Sequence, residues 1–322
     1  MFSKTKGVVL ISILLIVLLL SSIAVLFGNK YFLSLKRAEY IEFQTISINI
    51  FRNMEAIVEK AIEKELQFNS NKLSKDNPIL NNEYTFNINE AEVISLLRDA
   101  SNCFNINSLV KESDNNFVEN NKSIDAFRRF MKLMDVDNNI IEELVDQVID
   151  WIDKDTNPRA YGLEDYYYSG PLHNPREYTG MRLIIAIEEL KGIPAAKNID
   201  WEIFNRYFCA LPSTKGIKFN INTLTEDDKY LITSIFPNID ILDAEYIIDN
   251  IPQEGFDSFN SFQLAFPDLN FGNPNGELIY TSNFFEINTI IKYKEFSSNS
   301  ISQVIYGGNK NSYIISRTYN GI

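Results

Sequence analysis

The first sixty-eight positions carry one pattern that changes character along its length. No charge falls between Lys6 and Lys30, and Val8–Phe27 is an apolar run broken only by serines. A helix crosses a bilayer with about 20 such residues. Further on, Phe43, Ile50, Met54, Ile57, Ala61 and Leu66 recur at helical spacing. Glu55, Glu59, Lys60 and Glu63 stand mostly between them, which is the pattern of a one-sided apolar stripe. No proline occurs before Pro78, and no glycine between Gly28 and Gly162. The pattern predicts a single helix from Val8 to about Phe68, roughly 90 Å long at about 1.5 Å per residue.

The period then changes several times. Asn69–Asn82 is polar and reads as a loop, and Glu83–Asn89 reads as a strand. Glu90–Arg98 reads as a short helix and "CFNINSL" at 103–109 as a strand. From Ser123 a helical block begins. Ile124, Phe127, Met131 and Met134 share one face, as do Ile140, Leu144, Val148 and Ile152. Met181–Leu190 and Trp201–Leu211 add two further helical patches. The tripled "FNIN" at 86–89, 104–107 and 219–222 is not a tandem repeat, because its flanks do not match. Thr225 with Asp228 predicts a capping box, followed by helices over Glu226–Ile235 and Asp243–Asp249.

Asn220–Phe262 resembles a helix-hairpin-helix, or SAM-like, unit. Its hairpin, Phe236–Asp240, has no glycine and no basic residue. The tail from Glu277 to Tyr319 is rich in β-branched and aromatic residues, and Gly307-Gly308-Asn309 predicts a hairpin. Strands near 83–107 and 277–319 then share one sheet, with the helical block inserted between them. The expected boundaries are 1–7, 8–68, 69–110, 111–215, 216–267 and 268–322.

The net charge of −13 repels phosphate backbones and disfavours a nucleic-acid partner. With one histidine, His173, and two cysteines, Cys103 and Cys209, a Cys/His zinc centre is nearly excluded. Nothing around His173 suggests a Cys–His nucleophile. Outside the cytosol the two cysteines would form a disulfide; the alternative is two buried thiols.

The densest local feature is "DWIDKDTNPRAYGLEDYYY", Asp150–Tyr168. Asp153, Asp155 and Asn157 alternate, and Glu164 stands twelfth counting from Asp153. These are places 1, 3, 5 and 12 of a calcium loop, and hard oxygen donors suit calcium. Asp165 completes the candidate ligand set. Place 6 is Pro158 instead of glycine, so the chemistry is that of a calcium loop but not of an EF-hand. A solvated acidic loop and a paired-carboxylate hydrolase are the other readings of the same residues.

Three readings also fit the amino terminus: a signal peptide cut after Ser22-Ile23-Ala24, a plain anchor, or a pilin-type leader. The basic start, Gly7 and the long helix resemble type IV pilins and pseudopilins. That resemblance implies cleavage between Gly7 and Val8 by a prepilin peptidase. Most members carry Glu at the fifth mature position; here it is Ser12.

With "DASNCFNINSL", the acidic block, "EELKGI", "CALPSTKGIKFNINTLT" and "GFDSFNSF" in this order, the whole chain resembles the type II secretion system protein K family. "REYTGMR" at 176–182 departs from the family pattern. The resemblance implies an α+β fold: a pilin-like long N-terminal helix packed on an antiparallel sheet, with a large inserted all-α domain containing SAM-like or helix-hairpin-helix units. It implies calcium in the acidic loop. It also implies a non-enzymatic minor pseudopilin at the pseudopilus tip, partnered by the I and J minor pseudopilins. The anchor would sit in the inner membrane and the body in the periplasm. The competing expectation is a membrane-anchored, calcium-dependent extracytoplasmic hydrolase.

Overall fold

The structure is a computed structural model and describes residues 5–69, 71–88, 91–172, 174–307 and 311–321, with side chains from Val9 onward. The first element is one unbroken helix, α1, Thr5–Phe68. Its side chains from Val9 to Leu35 are all exposed. From Phe43 one face is buried: Phe43, Ile50, Phe51, Met54, Val58, Ile62 and Leu66. Each such apolar side chain contributes about 1.5–3 kcal/mol on full burial. Ile57 is 48% exposed, and Ala61 is half-buried, contrary to the expected stripe. Both lie one residue, or about 100° of helix rotation, from Val58 and Ile62, which take the buried positions.

That face packs on a five-stranded antiparallel sheet of order β1-β2-β9-β10-β11. Its strands are β1 (Tyr84–Ile88), β2 (Ala91–Asp99), β9 (Phe284–Tyr293), β10 (Phe296–Tyr306) and β11 (Ser312–Asn320). The helix expected over 90–98 is therefore strand β2; Glu90 itself lies outside the described residues. Ala91, Val93, Ser95 and Leu97 alternate inward, a period of two. Ala, Leu and Glu favour helix locally, but pairing with β9 (Val93 with Ile291, Leu97 with Ile287) overrides that preference. The β10–β11 hairpin is present, with the Gly307 N–H donating to Asn311 O at 2.8 Å; Gly308 and Asn309 lie outside the described residues. The 69–82 connection holds one short helix, α2 (Pro78–Asn81), capped by the Asn77 side chain.

Residues 104–278 build a separate core between β2 and β9. Its helices are α3 (Asn121–Leu133), α4 (Asn138–Ile152), α5 (Asp165–Tyr168), α6 (Trp201–Tyr207), α7 (Lys229–Ile235), α8 (Ile241–Asp249) and α9 (Phe259–Ala265). The block is not purely helical. β3 (Phe104–Asn105) runs parallel to β6 (Phe208–Cys209), β4 (Val110–Ser113) pairs with β5 (Asn116–Glu119), and β7 (Lys218–Asn220) runs parallel to β8 (Glu277–Ile279). The 103–109 "strand" is thus two strand residues followed by a 3-10 turn over Ile106–Leu109.

Asparagines explain that break, and they do so twice. Asn105 and Asn220 each accept, through Oδ1, the N–H of the asparagine two residues on. Asn107 then clamps Ile184, accepting its N–H at 2.9 Å and donating to its carbonyl at 2.8 Å. Asn222 clamps Phe256 and Tyr280 in the same manner. "FNIN" at 104 and 219 is therefore one structural device used twice, despite unlike flanks. The clamp also shows why 181–190 is not the expected helix: Ile184 gives its backbone groups to Asn107, and only a 3-10 turn over Ile187–Gly192 follows. The helix expected over 201–211 ends at Tyr207, where β6 begins.

Candidate functional site

The acidic block lies where α4 ends. Asp150 sits in its last turn, and Asp153 is its C-cap, donating its N–H to Ile149 O at 2.9 Å. The chain then turns back over the helix. Asp155 Oδ1 accepts the Asn157 N–H at 2.9 Å, a local side-chain turn that needs no glycine at Pro158. The Arg159 N–H donates to Asp150 Oδ2 at 3.1 Å, and its Nε lies 3.7 Å from Asp150 Oδ1. Gly162 crosses so close that a Cβ there would stand 1.8 Å from Asp150 Oδ2. The segment returns at Glu164, just before α5.

Three side chains converge: Asp153, Asp155 and Glu164 each bring a carboxylate oxygen within 4.8 Å of the others. Asp153 and Glu164 are buried, whereas Asp155 opens to solvent. Asp153 Oδ1, Asp150 Oδ1 and both oxygens of Glu164 are buried without a hydrogen-bond partner. Leaving such groups unpaired is costly. Burial, then the neighbouring carboxylates, pushes Glu164 up to about 7. Burial foremost pushes Asp150 and Asp153 up to about 6 each. Clustered, orphaned oxygen donors of this kind fit a hard divalent cation, which would supply the positive charge they lack.

Two of the expected ligand residues stand differently. Asp165 Oδ1 accepts from both the N–H (2.8 Å) and the Oγ1 (2.9 Å) of Thr179, so it ties α5 to the following loop. Asn157 is exposed and contributes its backbone N–H to the Asp155 turn. Asp150 was not among the expected ligands. Its spacing of three from Asp153 at a helix end was the available signal, since i and i+3 share a helix face.

Residues 102–213 match the family model of the type II secretion system (T2SS) protein K. Over 327 residues the chain is 25% identical to the type II secretion system protein K of Aeromonas hydrophila, covering 99% of this chain and 98% of that one. It is 30% identical over 184 residues to the protein K of Pectobacterium carotovorum, covering 55% and 54%. Along its whole length the chain is thus similar to type II secretion system K proteins. The crystal structure of the GspK-GspI-GspJ complex from enterotoxigenic Escherichia coli contains a chain with the same fold. It superposes with a TM-score of 0.75 over 88% of this chain and 99% of that one, at 18% identity.

These similarities mark the chain as a minor pseudopilin and a structural component of a secretion system. The hydrolase reading therefore falls away. The matched segment contains both the acidic block and the two cysteines. Cys103 and Cys209 are joined, with Cα atoms 5.8 Å apart across a sequence separation of 106. The bond lies beside the β3–β6 pair, where Asn105 stands opposite Cys209, and ties the two ends of the first helical stretch. α1 is the one helix among the described residues long and apolar enough to cross a membrane. Of the expected leader, Met1–Lys4 lies outside the described residues, and Gly7 and Val8 are described only as helical backbone.

Proposed function

We propose that this minor pseudopilin occupies the tip of the pseudopilus, together with I and J subunits, and helps export folded proteins across the outer membrane. The observation that carries the reading is the division of α1. From Val9 to Leu35 its apolar surface is covered by nothing among the described residues, whereas from Phe43 the sheet covers it. An all-round apolar helix must be buried in lipid or among other helices. The lower part thus suits a bilayer before assembly and a helical bundle after it. The broad block of residues 104–278 at the other end would obstruct a subunit stacked above. Ser12 agrees with first placement, since no glutamate stands at the fifth mature position to meet a neighbour's amino group. The crystallised relative from enterotoxigenic E. coli, named as a complex of K, I and J proteins, supports the choice of partners.

The same reading places the anchor in the inner membrane and the body in the periplasm, where the disulfide is at home. It assigns calcium to Asp153, Asp155 and Glu164, with Asp150 behind them. It takes Gly7–Val8 as the prepilin-peptidase site, leaving an N-methylated Val8. Residues 216–267 are the SAM-like unit, its α7–α8 hairpin turning through Phe236–Asp240. Asp227, Asp228, Asp240 and Asp243 line that unit and argue against a nucleic-acid role.

The test is co-expression of the full-length chain with its I and J partners and a prepilin peptidase. A stable ternary complex containing a chain that begins at Val8 is the expected result. Persistent failure to associate would overturn the tip assignment.

A further inference from the structure

The amino-terminal end of α3 is built unlike a capped helix. Its N-cap, Asn120, makes no side-chain cap bond. The N–H groups of Asn121, Lys122 and Ser123 precede the first intrahelical bond, which runs from the Ile124 N–H to Asn120 O. Such free N–H groups, with the helix dipole behind them, attract anions. A second observation points the same way. Ser123 is only 1% exposed, and its Oγ has no hydrogen-bond partner. A buried serine in a helix ordinarily bonds back to a carbonyl; this one stands over a depression of ≈ 270 Å³ that it helps to line.

The opposite wall is the loop Thr214-Lys215-Gly216. Gly216 takes φ +77°, a conformation that favours glycine, and its absent side chain keeps the space open. A Cβ there would lie 3.8 Å from Asn120 Nδ2 and 3.9 Å from Ser123 Oγ. Lys122 and Lys215 stand at the rim, and neither is in an ion pair among the described residues. The nearby carboxylates are already paired: Glu277 with Lys218 at 2.5 Å, and Glu119 with Arg159 at 2.7 Å. In a chain of net charge −13, this is a local concentration of unspent donors.

We propose that this depression binds a small oxyanion of the phosphate class, held by the α3 N–H groups, Ser123 Oγ and the two lysines. The ligand is either free inorganic phosphate or the phosphomonoester of a larger headgroup. None of the residues lining the depression belongs to the acidic loop, and the proposal is independent of the tip reading.

The test is isothermal titration of the full chain, in non-ionic detergent, with inorganic phosphate and separately with glycerol 3-phosphate. Saturable one-to-one binding is expected, weakened about tenfold by Ser123→Ala, since a charge-assisted hydrogen bond is lost. Lys215→Gln lies on an exposed loop outside the core and should weaken binding and flatten its salt dependence. Tighter binding of glycerol 3-phosphate assigns the site to an esterified group, and tighter binding of phosphate assigns it to the free ion. Absence of saturable binding, or wild-type affinity in both variants, would overturn the proposal. If Ser123→Ala does not fold, Lys215→Gln alone decides.

Discussion

Arg317 on edge strand β11 grips Glu55 on α1 with two nitrogens, Nε at 2.9 Å from Oε1 and Nη2 at 2.9 Å from Oε2. Glu55 is 4% exposed and also accepts from Ser302 Oγ at 2.6 Å. The pair fixes how the helix lies across the sheet, because both partners come from elements more than two hundred residues apart. The bond is forked, so lysine at 317 could not reproduce it.

Replacing Arg317 by alanine should therefore destabilise the body by about 2–3 kcal/mol. Breaking a fully buried pair costs about 3–5 kcal/mol, and here water can reach the vacated side. Glu55→Ala combined with Arg317→Ala should cost less than the sum of the two single changes. Urea denaturation of the four proteins measures the coupling, and strict additivity would show that the pair does not hold the helix.

The Cys103–Cys209 bond closes a long loop at the mouth of the inserted block. Serine at both positions should lower stability by about 2–5 kcal/mol. The chain should still fold, because the Asn105 and Asn107 clamps to Leu211, Ser213 and Ile184 remain. Thermal unfolding with and without reductant checks this. An unchanged midpoint on reduction would mean that the asparagine clamps alone determine the junction.

Much of this architecture was readable from residues. The length of α1 followed from an uninterrupted pattern, and the three C-terminal strands from their β-branched runs. The Thr225–Asp228 cap is present, with Thr225 N–H and Oγ1 both donating to Asp228. What escaped were outcomes decided by distant partners. β2 is a strand because β9 lies beside it, and 181–186 is irregular because Asn107, 77 residues earlier, takes the backbone of Ile184. At the acidic loop the residue types and spacing pointed to the segment where three carboxylates converge. They could not separate Glu164, whose oxygens are orphaned, from Asp165, whose Oδ1 is spent on Thr179.

That difference gives a direct test of the ligand assignment. Asp153→Asn should abolish the rise in thermal midpoint produced by calcium. Asp165→Asn should lower stability by about 1 kcal/mol, through its weakened bonds to Thr179, while keeping the calcium response. Equal loss of response in both variants would mean that the calcium shell extends to Asp165.

Gly162 should tolerate no side chain. Alanine there drives a methyl group onto the Asp150 carboxylate, with the Arg159 backbone N another close neighbour at 2.9 Å. The loop must then lift away, separating Glu164 from Asp153. Gly162→Ala is expected to weaken calcium binding at least tenfold while α4 and its core remain folded, as circular dichroism and calcium titration would show. Undiminished affinity would mean that the loop's path over Asp150 is not what gathers the ligands.

The pH dependence follows from the sign of the shifts. Asp150 and Asp153 at about 6 and Glu164 at about 7 lie above ordinary carboxylates. The metal-free folded chain thus holds protons that the unfolded chain releases. This contribution to stability is fully present only at acid pH and is lost as pH rises through about 6 to 7. Calcium bound as proposed would compete with those protons. In chelator, the cluster should favour folding more at pH 5.5 than at pH 7.5. The rise in thermal midpoint on adding calcium should be large at pH 7.5 and small at pH 5.5, because there the cation must displace bound protons. Asp153→Asn serves as the control that removes changes arising elsewhere in the chain. A calcium-induced shift of the same size at both pH values would mean that the cation binds carboxylates outside this buried group.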